Sequence, residues 1–353
     1  MSNDLTSELQ QQISEAYAQG TPLQIAGAGT KAFYGRTPHG EPLSRGAHRG
    51  RNKYSPNEHV NSAPSCTPLA EIEAELATHN QMLAFEPPHF GAGATLGGTV
   101  ACGFSGPRRP YAGAARDFVL GTKILNGKGE LLRFGGEVMK NVAGYDVARL
   151  MTGAMGALGV LLEVSLKVLP RPAVEVTLRK DLDESRALKA MNRWSGLPLP
   201  LSAAACDGEH MFIRLSGSTK GVKAAGQKIG GDVLAEDEQI WERLREHRHG
   251  FFESATPLWR VSVAPGTAPL ALRGKSLLEW NGALRWLKST DDATSMRTLV
   301  ERHGGHATLF RGGDRDGQVF HPLPPGLMQI HENLKRAFDP ACILNPGRWY
   351  TQL

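Results

Sequence analysis

FGAGATLGGTVACGFSGPRRP, residues 90–110, opens the stretch whose composition decides the fold. Between Gly91 and Gly159 lie 16 of the chain's 41 glycines. The same region nevertheless holds the apolar run FVLGTKIL (118–125) and leads into GVLLEVSLKVLP (159–170), which no linker would carry. Glycine permits positive φ and has no Cβ to keep a ligand off the main chain. Glycines interleaved with strands therefore point to loops that cradle a nucleotide-bearing cofactor.

Working outward, FVLGTKIL, Asn126-Gly127 and ELLRFGG predict a β-hairpin. In the strand that follows, Val160, Leu162, Val164, Leu166 and Val168 share one face, and Glu163, Ser165 and Lys167 the other. Pro170 and Pro172 end it, and the first domain with it. Upstream, TPLAEIEAELATHN predicts a helix with Thr67 as N-cap, Pro68 at the first helical position and Leu69, Ile72 and Leu76 on one face. The segment EPPHFGAGATLGGTVACGFSG between helix and hairpin reads as loop-rich.

Near the N-terminus TPLQIAGAGTK (21–31) is a short strand running into a Gly-Ala-Gly turn, and Gly27, Gly29 and Ala32 form a loose GxGxxA. A Rossmann dinucleotide site would need a helix next, but Gly35, Pro38, Gly40 and Pro42 break one within its first turns. The pattern argues against an NAD enzyme. It favours a loop whose main-chain N–H groups face an anion directly.

The length of 353 residues suggests two domains, and 41% hydrophobic with 21% charged residues is ordinary for a globular protein. No apolar run approaches the roughly 18 to 20 residues that span a bilayer, and MSNDLTSELQQQISEAYAQG has no signal-peptide core. The expected location is cytoplasmic, with membrane contact only peripheral and through partners. Cys66, Cys102, Cys206 and Cys342 form no CxxC, so neither zinc nor an iron-sulfur cluster is expected, and four buried thiols are. Arg45, Arg49, Arg51 and Lys53 beside His48 form a basic cluster, read as a solvated loop or a contact for an acidic surface. It lacks the interleaved aromatics and motifs of a nucleic-acid site.

Beyond Pro172 glycine thins out, and all six tryptophans fall between Trp194 and Trp349. Strands are expected at Val174 to Leu178, near Leu201, at Met211 to Leu215, Trp259 to Val263, Ala283 to Leu287 and Ala307 to Phe310. Helices are expected at Glu184 to Trp194, Lys220 to Ile229, Asp237 to His247 and Asp292 to His303. Together these make a second, two-layer α+β unit. A last helix would place Leu327, Ile330, Leu334 and Phe338 on one face before the tail DPACILNPGRWY.

Four separated segments, PLQIAGAGTK, ATLGGTVACGFSGPRRPYAGAARDFVLG, AGYDVARLMTGAMGALGVLLEVSLKVLP and FDPACILNPGR, resemble in order and spacing the FAD-linked oxidases of the vanillyl-alcohol-oxidase type. EPPHFGAGATLGGTVACGFSGPRRP and LRFGGEVMKNVAGYD narrow the resemblance to the FAD-binding subunits of bacterial glycolate oxidases. The resemblance implies an α+β chain. A PCMH-type FAD-binding domain (1–172) would be followed by a smaller α+β, ferredoxin-like cap (173–353), whose C-terminal tail returns to the first domain. It implies FAD, with Gly27, Ala28, Gly29, Thr30 and Lys31 on the pyrophosphate, Thr95, Gly97 and Gly98 on its other side, and Pro88 and Leu96 also in the cofactor-binding set. Gly103 and Gly106 would lie near the ribityl and ribose parts, and Gly159 and Val160 near the adenine. Arg108 and Arg109 are candidates for facing the diphosphate or the reduced flavin's negative charge, and Tyr145 and Asp146 for positioning the flavin end; arginines at the surface, a core tyrosine and a helix-capping aspartate are the plain alternatives.

The implied activity is oxidation of a small 2-hydroxy acid, glycolate, within a complex containing a paralogous FAD-binding subunit and an iron-sulfur subunit. One departure bears on chemistry. Where hydroxy-acid dehydrogenases of the family carry HxxGDGNxH, this chain reads LFRGGDRDGQVFHP, keeping Gly313-Asp314 without the flanking histidines. His303, His306 and Arg311 are available, but no spacing selects a catalytic residue, and His89 reads as an ordinary loop histidine. A non-catalytic subunit that organises the complex is the alternative. Partner docking is expected on the second domain through one or two exposed tryptophans, Trp349 first.

Overall fold

A computed structural model describes residues 4–43, 48, 52–136, 146–235 and 238–353. Arg45, Arg49, Arg51 and Tyr145 lie outside these. A five-stranded sheet is ordered Lys53–Ser55, Val60–Pro64, Val160–Lys167, Val119–Leu125 and Leu131–Gly135, all antiparallel. The expected hairpin is its last pair. Val160–Lys167 lies at the centre and is buried on both faces: Leu161 and Ser165, on the face away from Val164, are buried too. A central strand has no solvated side, which is why its alternation is muted.

Two local readings change. Helix Leu69–Thr78 has Pro68 as its N-cap, one residue later than expected, and no side chain caps it. Within the segment read as loop, Leu96–Cys102 is a helix: the hydroxyl of Thr95 accepts from the Gly98 amide, and Gly103 ends it at φ 64°. Three glycines in or beside seven residues hide a short helix from any propensity argument.

An eight-stranded antiparallel sheet follows, in the order Asp232–Val233, Val174–Asp181, His210–Gly217, Leu201–Cys206, Lys275–Glu279, Leu284–Lys288, Leu258–Ser262 and His306–Arg311. Lys275–Glu279 is a strand the sequence reading did not contain. Period-two alternation sorts the strands' side chains onto two faces. Met211, Ile213, Leu215 and Leu278 pack under helices Glu184–Ser195 and Thr219–Ile229, and Val261, Leu287 and Leu309 under helix Ala293–Arg302. Phe212, Leu258, Leu277, Trp286 and Phe310 point the other way, against Phe33, Tyr34, Phe90 and Phe104 of the N-terminal half. Arg260, two residues from Leu258, and Glu279, two from Leu277, are placed on that same inner side.

Helix Pro325–Phe338 departs from its sequence reading. Leu327 and Ile330 are 42% and 54% exposed, and the one buried residue of the helix is Lys335. Its ammonium donates to Ala157 O (2.9 Å), Leu344 O (2.6 Å) and the Asp339 carboxylate (2.7 Å). Asp339 in turn accepts from the amides of Ile343 and Leu344. The tail is thereby bound to the N-terminal half: Leu23 N donates to Ile343 O and Asn345 N to Leu23 O. The thiols also differ from expectation, since Cys206 is buried, Cys66 and Cys102 are half-buried and Cys342 is exposed.

Candidate functional site

Two cavities meet at Cys102, which lines both. The first, of about 330 Å³, lies among the loop 24–32, the Thr95–Gly98 turn, Met155, Gly156, Gly159 and Leu161. Gly27, Ala28, Gly29, Thr30, Lys31, Thr95, Gly97, Gly98 and Gly159 of the expected cofactor set line it. The second, of about 270 Å³, lies where the inner face of the large sheet meets the N-terminal loops, and it collects Pro88, Gly103 and Gly106. Leu96 and Val160 are instead sealed in the cores, with Leu161 lining the cavity where Val160 was expected.

The loop supplies what a diphosphate requires. No helix follows it, and among the described residues the amides of 26–31 have no hydrogen-bond partner. Unpaired main-chain donors beside a cavity form an anion cradle. Its entry is fixed by the tail: the Asn345 side chain accepts from Ile25 N (2.6 Å) and donates to Ile25 O and Met155 O. Its exit is fixed by Arg348, whose guanidinium donates to the carbonyls of Ala32, Tyr34 and Arg36.

The opposite wall works differently. In the Thr95–Gly98 turn, Leu96 N donates to Thr67 O, Gly97 N to Ser65 O (2.7 Å) and Gly98 N to the Thr95 hydroxyl (3.2 Å). These donors are already engaged, so the glycines here matter for space. A Cβ on Gly97 would lie 2.6 Å from Ser65 Cβ, while one on Gly98 would meet only Thr95 Oγ1, at 3.2 Å. A Cβ on Gly27 would stand 3.7 Å from Gly98 Cα, so the two walls come into contact at these glycines. Gly97 packs the turn onto the sheet; Gly27 and Gly98 keep the two walls thin. Free donors on one side and thin walls on both fit the pyrophosphate-bearing part of FAD.

Lys31 is 6% exposed, with Nζ 3.1 Å from His89 O, and burial depresses its pKa. The His89 ring is 2.9 Å from Glu73, and the amides of His89 and Phe90 donate to the Glu246 carboxylate of the C-terminal half. Arg108 lies away from both cavities. It pairs with Glu86 (3.2 Å) and Glu175 (2.6 Å), and Arg214 pairs with the same two carboxylates. Burial works to raise the Glu86 pKa, but the two guanidiniums outweigh it and hold the carboxyl below its ordinary value. Asp146 is exposed and caps the short helix Val147–Leu150 by accepting from Arg149 N, beside a shallow opening shared with Arg109 and Arg116. Of the residues named for chemistry, His303 is exposed, and Arg311 stacks on Phe33 at 4.3 Å. Asp314 accepts from Asp316 N and Gly317 N, closing its own turn.

The second cavity brings Arg109, one of the two expected arginines, together with groups the sequence reading missed: Arg260, Glu279, Trp280 and His247. Arg109 and Arg260 stack on Trp280, at 4.2 and 5.2 Å from the ring centre. Burial, then the other guanidinium, lowers the Arg109 pKa to about 10. Glu279 accepts from Trp286 Nε1 at 2.7 Å, and its pKa is raised to about 7 by burial, with Glu86 adding to the rise. His247 stacks flat on Phe252 with centroids 3.9 Å apart, and burial holds its pKa well below the ordinary value. No linear motif joins these positions; the strand pairing does, setting Arg260 opposite Trp286 and Glu279 opposite Leu284. No tryptophan is fully exposed; Trp349 is half-buried and packs on the N-terminal core. Among the described residues no group of three metal-binding side chains occurs, and no helix is long and apolar enough to cross a membrane.

A family model described as an FAD binding domain matches residues 5–135. The Escherichia coli K12 protein named glycolate oxidase subunit GlcE is 47% identical over 351 residues, covering 99% of each chain. Glycolate oxidase subunit GlcD of Bacillus subtilis is 38% identical over 84 residues, 24% of this chain and 18% of its own. The crystal structure of p-cresol methylhydroxylase superposes with a TM-score of 0.73 at 15% identity, covering 99% of this chain and 87% of that one, which shows a shared fold. The chain thus belongs to the glycolate oxidase subunit GlcE family, a branch of the FAD-linked oxidases with the PCMH-type fold.

Proposed function

We propose that this chain is the FAD-binding subunit of a multisubunit glycolate oxidase that converts a 2-hydroxy acid to the 2-oxo acid. The observation that carries the reading is the run of unpartnered amides at 26–31, facing the thin wall made by Gly98. Bound there, FAD supplies two-electron chemistry with the option of single-electron release. The chain's own part is to hold the pyrophosphate on the 26–31 amides, to fix that loop through Asn345 and Arg348, and to shield the second cavity with Phe90, Phe104, Trp286 and Phe310.

Residues 1–172 serve as the FAD domain and 173–353 as the cap. The interface is braced by the Arg108, Glu86, Arg214 and Glu175 cluster and by Glu246 on the His89 and Phe90 amides. Electrons leave to an iron-sulfur subunit and a paralogous flavoprotein subunit, since the described residues offer no cysteine cluster. The GlcE and GlcD names of the relatives, both called subunits, support a multisubunit complex; its proposed place is cytoplasmic, peripheral to the membrane through its partners.

Two measurements test the reading. The purified chain should be yellow and should release its flavin on acid precipitation. The tagged chain, recovered from its native cell under mild conditions, should bring a flavoprotein and an iron-sulfur protein with it. A colourless chain would remove the flavin role, and a solitary monomer would remove the complex.

A further inference from the structure

The second cavity carries an unbalanced charge arrangement. Arg109 and Arg260 both line it and share Trp280, yet neither guanidinium has an ion-pair or hydrogen-bond partner among the described residues. Elsewhere at the same interface Arg108 and Arg214 are fully occupied by Glu86 and Glu175. Two half-buried cations brought together with no carboxylate bonded to either are costly, and the protein has paired the equivalent charges a few residues away. An arrangement of this kind is balanced by a ligand that brings the missing negative charge, and planar guanidinium forks match a carboxylate.

The third polar group is Glu279, adjacent in sequence to Trp280. One of its oxygens takes the Trp286 indole N–H, and the other has no partner among the described residues. Burial raises its pKa to about 7. The remaining walls are aromatic, from Phe90, Phe104, Trp286 and Phe310, and about 270 Å³ limits the guest to a few heavy atoms beside a cofactor.

We propose that Arg109 and Arg260, gathered on Trp280, bind the carboxylate of a small 2-hydroxy acid in this cavity, with Glu279 accepting from its hydroxyl. The substrate side of the site is then complete within this chain, although the histidine-rich segment of related dehydrogenases is missing from it. The inference rests on the proposed function for the identity of the acid, but not for the presence of an anion site.

The test is calorimetric titration of the purified full chain with oxalate, an inert analogue in which a second carboxylate replaces the hydroxymethyl group of glycolate, and with ethylene glycol, which has no carboxylate. Flavin content is read separately from absorbance, so a colourless chain counts against the flavin reading while the titration still judges the anion site. Saturable oxalate binding is expected, with glycol at least tenfold weaker. Arg260→Met and Arg109→Met should each weaken oxalate tenfold or more with an unchanged melting temperature, and Arg260→Lys should recover part of the loss. Glu279→Gln should leave oxalate binding in place but weaken glycolate relative to it. Absence of saturable oxalate binding by the wild-type chain, or equal affinity for oxalate and glycol, would overturn the proposal whether or not any variant folds.

Discussion

Trp280 Nε1 donates to the main-chain carbonyl of Gly106 at 3.0 Å, in a fully buried bond between the C-terminal half and the glycine-rich segment of the N-terminal half. The same indole carries Arg109 and Arg260 on its ring, so one side chain ties together domain contact and cavity charge. Trp280→Phe keeps the aromatic surface but removes one of two donors to Gly106 O, which still accepts from Arg109 N at 3.2 Å. A loss of about 0.5 to 1.5 kcal/mol is expected, the net worth of one buried hydrogen bond. Urea unfolding monitored by circular dichroism should show a lower midpoint with the same slope; an unchanged midpoint would mean water replaces the indole at no cost.

Lys335 and Asp339 form a pair in which both side chains are essentially inaccessible, at 1% and 0% exposure. Removing one member strands the other charge, and such losses run to about 3 to 5 kcal/mol. Lys335→Met should therefore be severely destabilising, more so than Lys335→Met combined with Asp339→Asn. A double-mutant cycle by thermal unfolding measures the coupling, and strictly additive effects would show that the two do not act as a pair.

These two sites mark where the sequence stopped being readable. The 26–31 loop was legible because Gly35, Pro38, Gly40 and Pro42 forbid a helix by local geometry alone. The hairpin and the central strand were legible because their periodicity is local. Lys335 was not: the spacing of Leu327, Ile330, Leu334 and Phe338 promised an apolar buried face, and the fold instead buries a lysine whose partners are carbonyls at 157 and 344. Arg109 was singled out by its place after Gly106-Pro107, but its gathering with Arg260 and Glu279 was invisible for a related reason. The cluster is assembled by two strands of one sheet with a third between them and by a helical turn about 150 residues upstream, which no spacing encodes. Tryptophan count likewise suggested exposure that the packing does not provide.

The raised pKa of Glu279 has a signed consequence. Its carboxyl titrates at 4.5 when unfolded and at about 7 when folded, so between those values the native chain binds more protons than the unfolded one. Stability from this group is present below about pH 4.5 and is lost as pH rises through about 7. At about 1.4 kcal/mol per pK unit, the ceiling is roughly 3 kcal/mol. Burial and Glu86 drive the rise, while the Trp286 hydrogen bond and Arg260 oppose it. Glu86, with its lowered pKa, acts in the opposite direction, so the comparison must be with Glu279→Gln. The variant should gain stability on wild type between pH 5 and 8 in chemical unfolding; parallel curves would show that Glu279 titrates normally.

Asn345 holds the cradle loop from outside the cavity, through Ile25 N and O and Met155 O. Asn345→Ala frees three groups and lets residues 26–31 move. Flavin affinity should fall by about tenfold or more, equivalent to about 1.4 kcal/mol, while Arg109 and Arg260 are untouched. Equilibrium dialysis against free FAD measures the change, and oxalate titration provides the control. Equal loss of both ligands would point to general unfolding, and retention of flavin would show that Arg348 alone suffices.

Gly97 and Gly98 are neighbours with opposite duties, and a pair of substitutions separates them. A Cβ on Gly97 would enter contact with Ser65 Cβ at 2.6 Å and Ser65 O at 3.0 Å, both on a rigid strand end. Gly97→Ala must push the turn off the sheet, at a cost of about 1 to 3 kcal/mol for overpacking. On Gly98 the new atom meets only the Thr95 hydroxyl, at 3.2 Å, and Gly98 lines the cavity together with Gly27. Gly98→Trp should therefore fold with a near-native melting temperature and bind no flavin, because the indole occupies the space between the two walls. Melting temperature and flavin absorbance, measured on soluble protein, give two independent readings for each variant. The expected result is a crossed one, with Gly97→Ala losing stability first and Gly98→Trp losing colour alone. Full flavin content in Gly98→Trp would place the pyrophosphate elsewhere and leave the unpartnered amides of 26–31 in need of another ligand.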